Sequence, residues 1–216
     1  MEKRMRKGFT MVEVLVAMGI IVVAFSLVTV LYIKASKIRR IITAHNEIQG
    51  VLSKMMDKII HGEKRENLKG LLSATHIYSH DFSPPSHLAD YIDNPNYSLI
   101  FGNIYNAMVQ YYLIAPGLGA GSPGNTGSDT TLWYGESNNG LAPSSWSLVD
   151  LNKKVILASG SKFEYLTPEN TPPDSVDSDT TFVLITLKGI PNSPSMKNIG
   201  PVELHSGVRL RNKLPF

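Results

Sequence analysis

The sequence predicts an α+β fold: one long N-terminal helix packed on an antiparallel β-sheet domain. Three observations carry this. No proline occurs before Pro84, and that stretch holds an apolar run followed by a stripe at helical period. Beyond Asn96, short runs rich in β-branched and aromatic residues follow one another between Gly, Pro, Asn and Asp. No helix-period segment separates those runs, so neighbouring strands should pair antiparallel rather than through helical crossovers.

The composition supports a folded chain. Of 216 residues, 43% are hydrophobic and 18% charged, enough apolar surface to bury a core. The net charge of +3 is unevenly placed. Lys3, Arg4, Arg6 and Lys7 stand against Glu2 in the first eight residues, and the remainder balances at 17 basic and 17 acidic residues. A neutral body argues against a nucleic-acid-binding role. The absence of cysteine excludes disulfides and thiolate metal sites.

Taking the elements in order, Phe9 to Ile33 is apolar over the length needed to cross a bilayer core of roughly 30 Å. Its one charged residue is Glu13. The basic flank before it should stay on the cytoplasmic side and place the rest of the chain outside, although Lys34 and Lys37 follow the segment. A secretory signal peptide fits poorly, because the apolar run is too long and no small-residue cleavage site follows it. Ile38, Ile41, His45, Ile48, Leu52, Met55 and Ile59 then step by three and four, widened by Ile42, Val51, Met56 and Ile60. Gly62 is the expected stop. Gly19 and Gly50 weaken a helix without breaking it, so one helix from Phe9 to about Ile60 is expected, roughly 80 Å long at 1.5 Å per residue.

Residues 63–96 read as polar and irregular. Strands are expected at Tyr97–Phe101, Met108–Ala115, Thr131–Tyr134, Trp146–Leu151, Val155–Ala158, Lys162–Leu166, Phe182–Lys188 and Val202–Asn212. Pro116–Asp129, Gly135–Ser145 and Pro168–Thr180 read as surface loops.

The string Lys7-Gly8-Phe9-Thr10-Met11-Val12-Glu13 resembles the processing site of type IV prepilins and type II secretion pseudopilins. The resemblance implies a pilin-like fold, cleavage by a prepilin peptidase between Gly8 and Phe9, and N-methylation of Phe9. It divides the chain into a leader (1–8), a transmembrane half-helix (9–33), an amphipathic half-helix (34–62) and a soluble β-rich domain (63–216). It also implies that Glu13 pairs with the Phe9 amine of a neighbouring subunit. A carboxylate in a bilayer costs about 2.5–3.5 kcal/mol on insertion scales, so a partner is expected.

The C-terminal strings AMVQYYL, TLWY, VILASGSKFEYLT, TFVLITLKG and SGVRLRN are similar to those of J-type minor pseudopilins. That similarity implies a non-catalytic tip subunit of a type II secretion pseudopilus. Its partners would be I-, K- and G-type subunits, the prepilin peptidase, the inner-membrane assembly platform and membrane lipid. Its location would be the inner membrane, single-pass, with the soluble domain in the periplasm. Many major pilins carry a proline in the apolar segment, where this chain has Val30; that departure suits a minor subunit. The alternative is a minor pilin of a type IV pilus or DNA-uptake system, and a membrane-anchored periplasmic enzyme comes third.

No catalytic residue, cofactor, metal or nucleic-acid partner is expected. His76 and His80, with Asp81 and His87, lack the helical setting that zinc ligands at this spacing need. Asp174, Asp177 and Asp179 suggest calcium but lack the glycine and closing glutamate of an EF-hand loop. Gly117, Gly119, Gly121 and Gly124 have no following lysine or helix for a phosphate. Ser86, His87 and Asp90 lie too close in sequence for a triad. Ser159-Gly160-Ser161 reads as a strand turn, and His45 as a satisfied packing histidine. Trp133, Tyr134 and Trp146 fit the core better than a partner surface.

Overall fold

A computed structural model of the chain describes residues 10–62, 70–78, 89–92, 94–103, 106–117, 122–124, 129–137, 143–169, 171–172, 180–193, 196 and 199–210. It has the α+β arrangement expected, with one long helix and antiparallel sheets. The chain divides into two compact units, Met1–Thr43 and Ala44–Phe216, and helix α1 (Met11–His61) contributes to both.

Within the first unit, α1 turns its large apolar side chains outward on every side. The hydroxyls of Ser26 and Thr29 donate to the carbonyls of Val22 and Phe25, both at 2.8 Å, and so find partners inside the helix. A lipid environment demands that self-sufficiency. This helix is long and apolar enough to cross a membrane.

In the second unit, α1 buries Ala44, Ile48, Leu52, Met55, Met56 and Ile59. From Ile48 onward this is the stripe read from the sequence. Ile38 and Ile41, which share its period, are 58% and 47% exposed. Periodicity marks a face of a helix but not where the cover over that face begins. Gly62 ends the helix at φ 80, its N–H donating to the Lys58 carbonyl at 2.9 Å.

The strands form two sheets rather than the single one expected. β1 (His76–Ile77), β2 (Ser98–Asn103), β3 (Asn106–Pro116), β4 (Thr130–Ser137) and β5 (Ser147–Leu148) make a five-stranded meander. β8 (Phe182–Pro191) centres the second sheet, with β9 (Val202–Arg209) on one side and β6 (Val155–Leu157) and β7 (Lys162–Leu166) in line on the other. The break lies at Asp150. Its carboxylate accepts the N–H groups of Asn152 (3.2 Å), Lys154 (2.7 Å) and Val155 (3.1 Å), and Lys153 takes φ 52. That turn cuts the expected Trp146–Leu151 strand to two residues and sends the chain into the other sheet.

The helix seam packs against both sheets, touching a core that includes Leu99, Phe101, Tyr112 and Leu132 from the first and Phe163, Val183, Ile185 and Leu187 from the second. The sheets are tied to each other by the Tyr165 hydroxyl, which donates to the Ser98 carbonyl at 2.6 Å, and by the Phe163 N–H, which donates to the Asn96 carbonyl at 2.9 Å. The Tyr112 hydroxyl donates to the Lys58 carbonyl at 2.9 Å and pins the end of α1 to the first sheet. Tyr112→Phe is expected to lower stability by about 1 kcal/mol, the usual net value of one hydrogen bond, as read by urea denaturation.

A second core covers the other face of the five-stranded sheet. Ile92 of the short helix α2 (Ala89–Ile92) packs there with Ile100, Tyr111, Leu113 and Trp133, flanked by Tyr78, Tyr91 and Trp146. The stretch read as irregular therefore supplies structure: a 3₁₀ turn at Leu71–Ser73, then β1 and α2. Trp133 is 1% exposed and Tyr134 9%, so both are core residues, as expected.

Candidate functional site

The head of α1 is a capping box. Thr10 precedes the first helical residue, and Glu13 stands three positions on. The Thr10 N–H donates to Glu13 Oε2 at 2.8 Å and the Thr10 hydroxyl to the same oxygen at 3.0 Å. In return the Glu13 N–H reaches Thr10 Oγ1 at 3.3 Å. This reciprocal arrangement satisfies helix-terminal donors that lipid could not, and it places a negative group at the positive end of the helix dipole. The sequence signal for it, Thr-x-x-Glu before an apolar run, stands at residues 10–13.

The geometry bears on what Glu13 can still do. Both Thr10 bonds converge on Oε2, and Oε1 accepts no hydrogen bond among the described residues. One carboxylate can thus hold the cap with one oxygen and offer the other to a cation. Gly8 and Phe9 lie outside the described residues.

The other candidates are scattered. His76 lies in β1, its Nδ1 3.0 Å from Thr75 Oγ1, and His80, Asp81, Ser86 and His87 fall outside the described residues, as do Asp174, Asp177 and Asp179. Gly117 and Gly124 take φ 132 and 80, with the Gly124 N–H donating to the Pro116 carbonyl at 2.9 Å: a turn, while Gly119 and Gly121 are outside the described residues. Gly160 sits at φ 97 in the β6–β7 turn, as read. Among the described residues, no three metal-ligating side chains cluster. His45 departs from its expectation: its buried Nδ1 meets no hydrogen-bond partner among the described residues.

An open groove of about 330 Å³ runs along α1 between Asn46 and Met55 and is closed on the far side by residues 149–154. Three of its charged groups, Glu47, Asp150 and Lys154, are engaged in structure. Lys154 Nζ pairs with Glu47, a contact that holds the lysine above its ordinary pKa, and Asp150 is taken up by the turn that precedes β6.

Residues 3–29 match the family model described as a prokaryotic N-terminal methylation motif. No curated protein and no solved structure matches the chain. The match spans the basic flank, the Gly8–Phe9 pair, Glu13 and most of the apolar run. It supports a type IV prepilin-like family and indicates a pilin- or pseudopilin-type protein.

Proposed function

We propose that this chain is a prepilin-like structural subunit that is cut between Gly8 and Phe9, methylated at Phe9 and assembled from the inner membrane into a pseudopilus. The observation that carries the reading is the methylation motif over residues 3–29, seated on a 51-residue helix whose first half is clothed in exposed apolar side chains. Pilin-type proteins are structural subunits, and the long helix fits membrane anchoring. The finer assignment is a J-type minor subunit of a type II secretion system, working with I-, K- and G-type partners and with its β-rich domain in the periplasm. It rests on the strand strings and on the lack of a proline at Val30. Co-purification with I- and K-type subunits supports secretion; a retraction ATPase encoded beside the gene favours the pilus alternative.

Within this reading, Glu13 keeps its cap and turns its open oxygen to the new amine of an adjacent subunit. Two substitutions separate those roles. Glu13→Gln retains a capping side chain and removes the charge; Glu13→Ala removes both. Both variants are expected to reach the membrane and to enter filaments at about a tenth of the wild-type level or less, the scale of one lost charged pair. Normal incorporation of both variants contradicts the pairing. Normal incorporation of the glutamine variant alone reduces Glu13 to a helix cap.

A further inference from the structure

β9 is the long open edge of the second sheet. Its register with β8 is unbroken from Phe182↔Arg209 to Gly189↔Val202. The Lys188 N–H donates to Ser161 Oγ and the Lys188 carbonyl accepts from Ala158 N–H, both on the β6–β7 side. By the alternation of an antiparallel ladder, Val183, Ile185, Leu187 and Gly189 then bond to Val208, Ser206, Leu204 and Val202. The backbone N–H and C=O groups of Glu203, His205, Gly207 and Arg209 therefore point away from the sheet. No backbone hydrogen bond reaches them from another described residue.

Exposed edges are ordinarily blunted by proline, a bulge or an inward charge. β9 has none of these. At Gly207, where a flat strand could kink, the Phe182 ring lies so close that a Cβ would fall 2.2 Å from its Cζ. The register runs through this position without a shift. Its outer face carries Glu203, which pairs with Lys188 at 3.3 Å, and an exposed Arg209 that has no ion-pair partner among the described residues.

We propose that β9 is a strand-addition site, and that its occupant is an extended segment of another protein running antiparallel to it, with an acidic residue opposite Arg209 and a basic residue six positions later opposite Glu203. An open row of alternating donors and acceptors selects an extended backbone, and the two charges select its direction and register. β9 itself has that spacing, from Glu203 to Arg209. A second copy is therefore an outcome of the test: protection of the same four amides in the chain alone, without the peptide, would assign the edge to this chain's own β9 and overturn another protein as its occupant.

The test uses the full chain in detergent micelles and, as probe, a capped peptide of sequence VELHSGVR, followed by amide hydrogen exchange. The peptide is expected to slow exchange at Glu203, His205, Gly207 and Arg209 by about tenfold or more while Leu204, Ser206 and Val208, already bonded to β8, stay unchanged. His205→Ala keeps the outward N–H and His205→Pro deletes it. The proline variant is expected to bind the peptide about tenfold more weakly than the alanine variant, the value of one backbone bond. A peptide with lysine in place of its glutamate is expected to bind about threefold more weakly, because it faces Arg209. Unchanged exchange at all four amides, or equal binding by the two His205 variants, overturns the site; equal binding of the lysine peptide overturns the register. None of these arms touches Gly8 or Glu13, so their failure leaves the proposed processing intact.

Discussion

Gly189→Val is expected to destabilise the Ala44–Phe216 unit by about 3 kcal/mol, the upper range for overpacking a filled core. Gly189 lies in β8 directly beneath α1. A Cβ there would meet Val155 Cγ1 at 2.7 Å, Leu52 Cδ2 at 3.1 Å and Ile48 Cγ2 at 3.2 Å. All three neighbours are at most 2% exposed, so none can swing into solvent. The glycine is therefore the notch that lets the helix sit on the second sheet, and a branched side chain must lift it. A domain holds about 5–15 kcal/mol in all, so this one substitution removes a large share. Gly50→Ala is the matched control. It lies in the same helix with nothing within 4 Å of its Cβ, and it is expected to stabilise by about 0.5–1 kcal/mol. Urea midpoints of both variants measure the contrast; a loss below about 1 kcal/mol for Gly189→Val would show that α1 is not seated on that notch.

Gly8→Arg is expected to abolish processing. A glycine lets a protease approach the backbone closely, and a bulky side chain at the residue preceding the cut blocks that approach. The basic flank and apolar run of the variant are otherwise intact, so it should still insert in the membrane. It should then accumulate with its first eight residues attached, leaving no free amine at Phe9 to meet Glu13. The measured outcomes are the mass of the membrane-bound protein and the amount in filaments. Wild-type processing of the variant would mean that the cut lies elsewhere.

The parts of this molecule that the sequence revealed are those with a local cause. The helix seam from Ile48 to Ile59 follows from residue spacing, its stop from Gly62, and most strands from β-branched runs bounded by turn residues. Other features depend on contacts between distant residues. The split into two sheets hangs on one carboxylate, Asp150, gathering three backbone N–H groups, and spacing does not announce that. Ile38 and Ile41 share the seam's period but are exposed. The packing of α2 on the far side of the sheet is invisible in the four residues of α2 alone. Gly189 looked like any strand glycine until Leu52 and Ile48 were placed above it. At the N-terminus the reverse holds. The Gly8, Phe9 and Glu13 pattern was legible residue by residue and falls within the matched motif, while the capping role of Thr10 was equally written there and emerged only from the geometry. The motif ends at residue 29, which is why the choice between secretion and pilus rests on the strand strings beyond it.

The central claim is that Glu13 belongs in an apolar helix because trimming creates a positive end for it to meet. Intact-mass and N-terminal analysis of the protein purified from native membranes tests it most directly. The chain is expected to begin at Phe9 and to carry one added methyl group. A functional protein that still begins at Met1 would contradict the account.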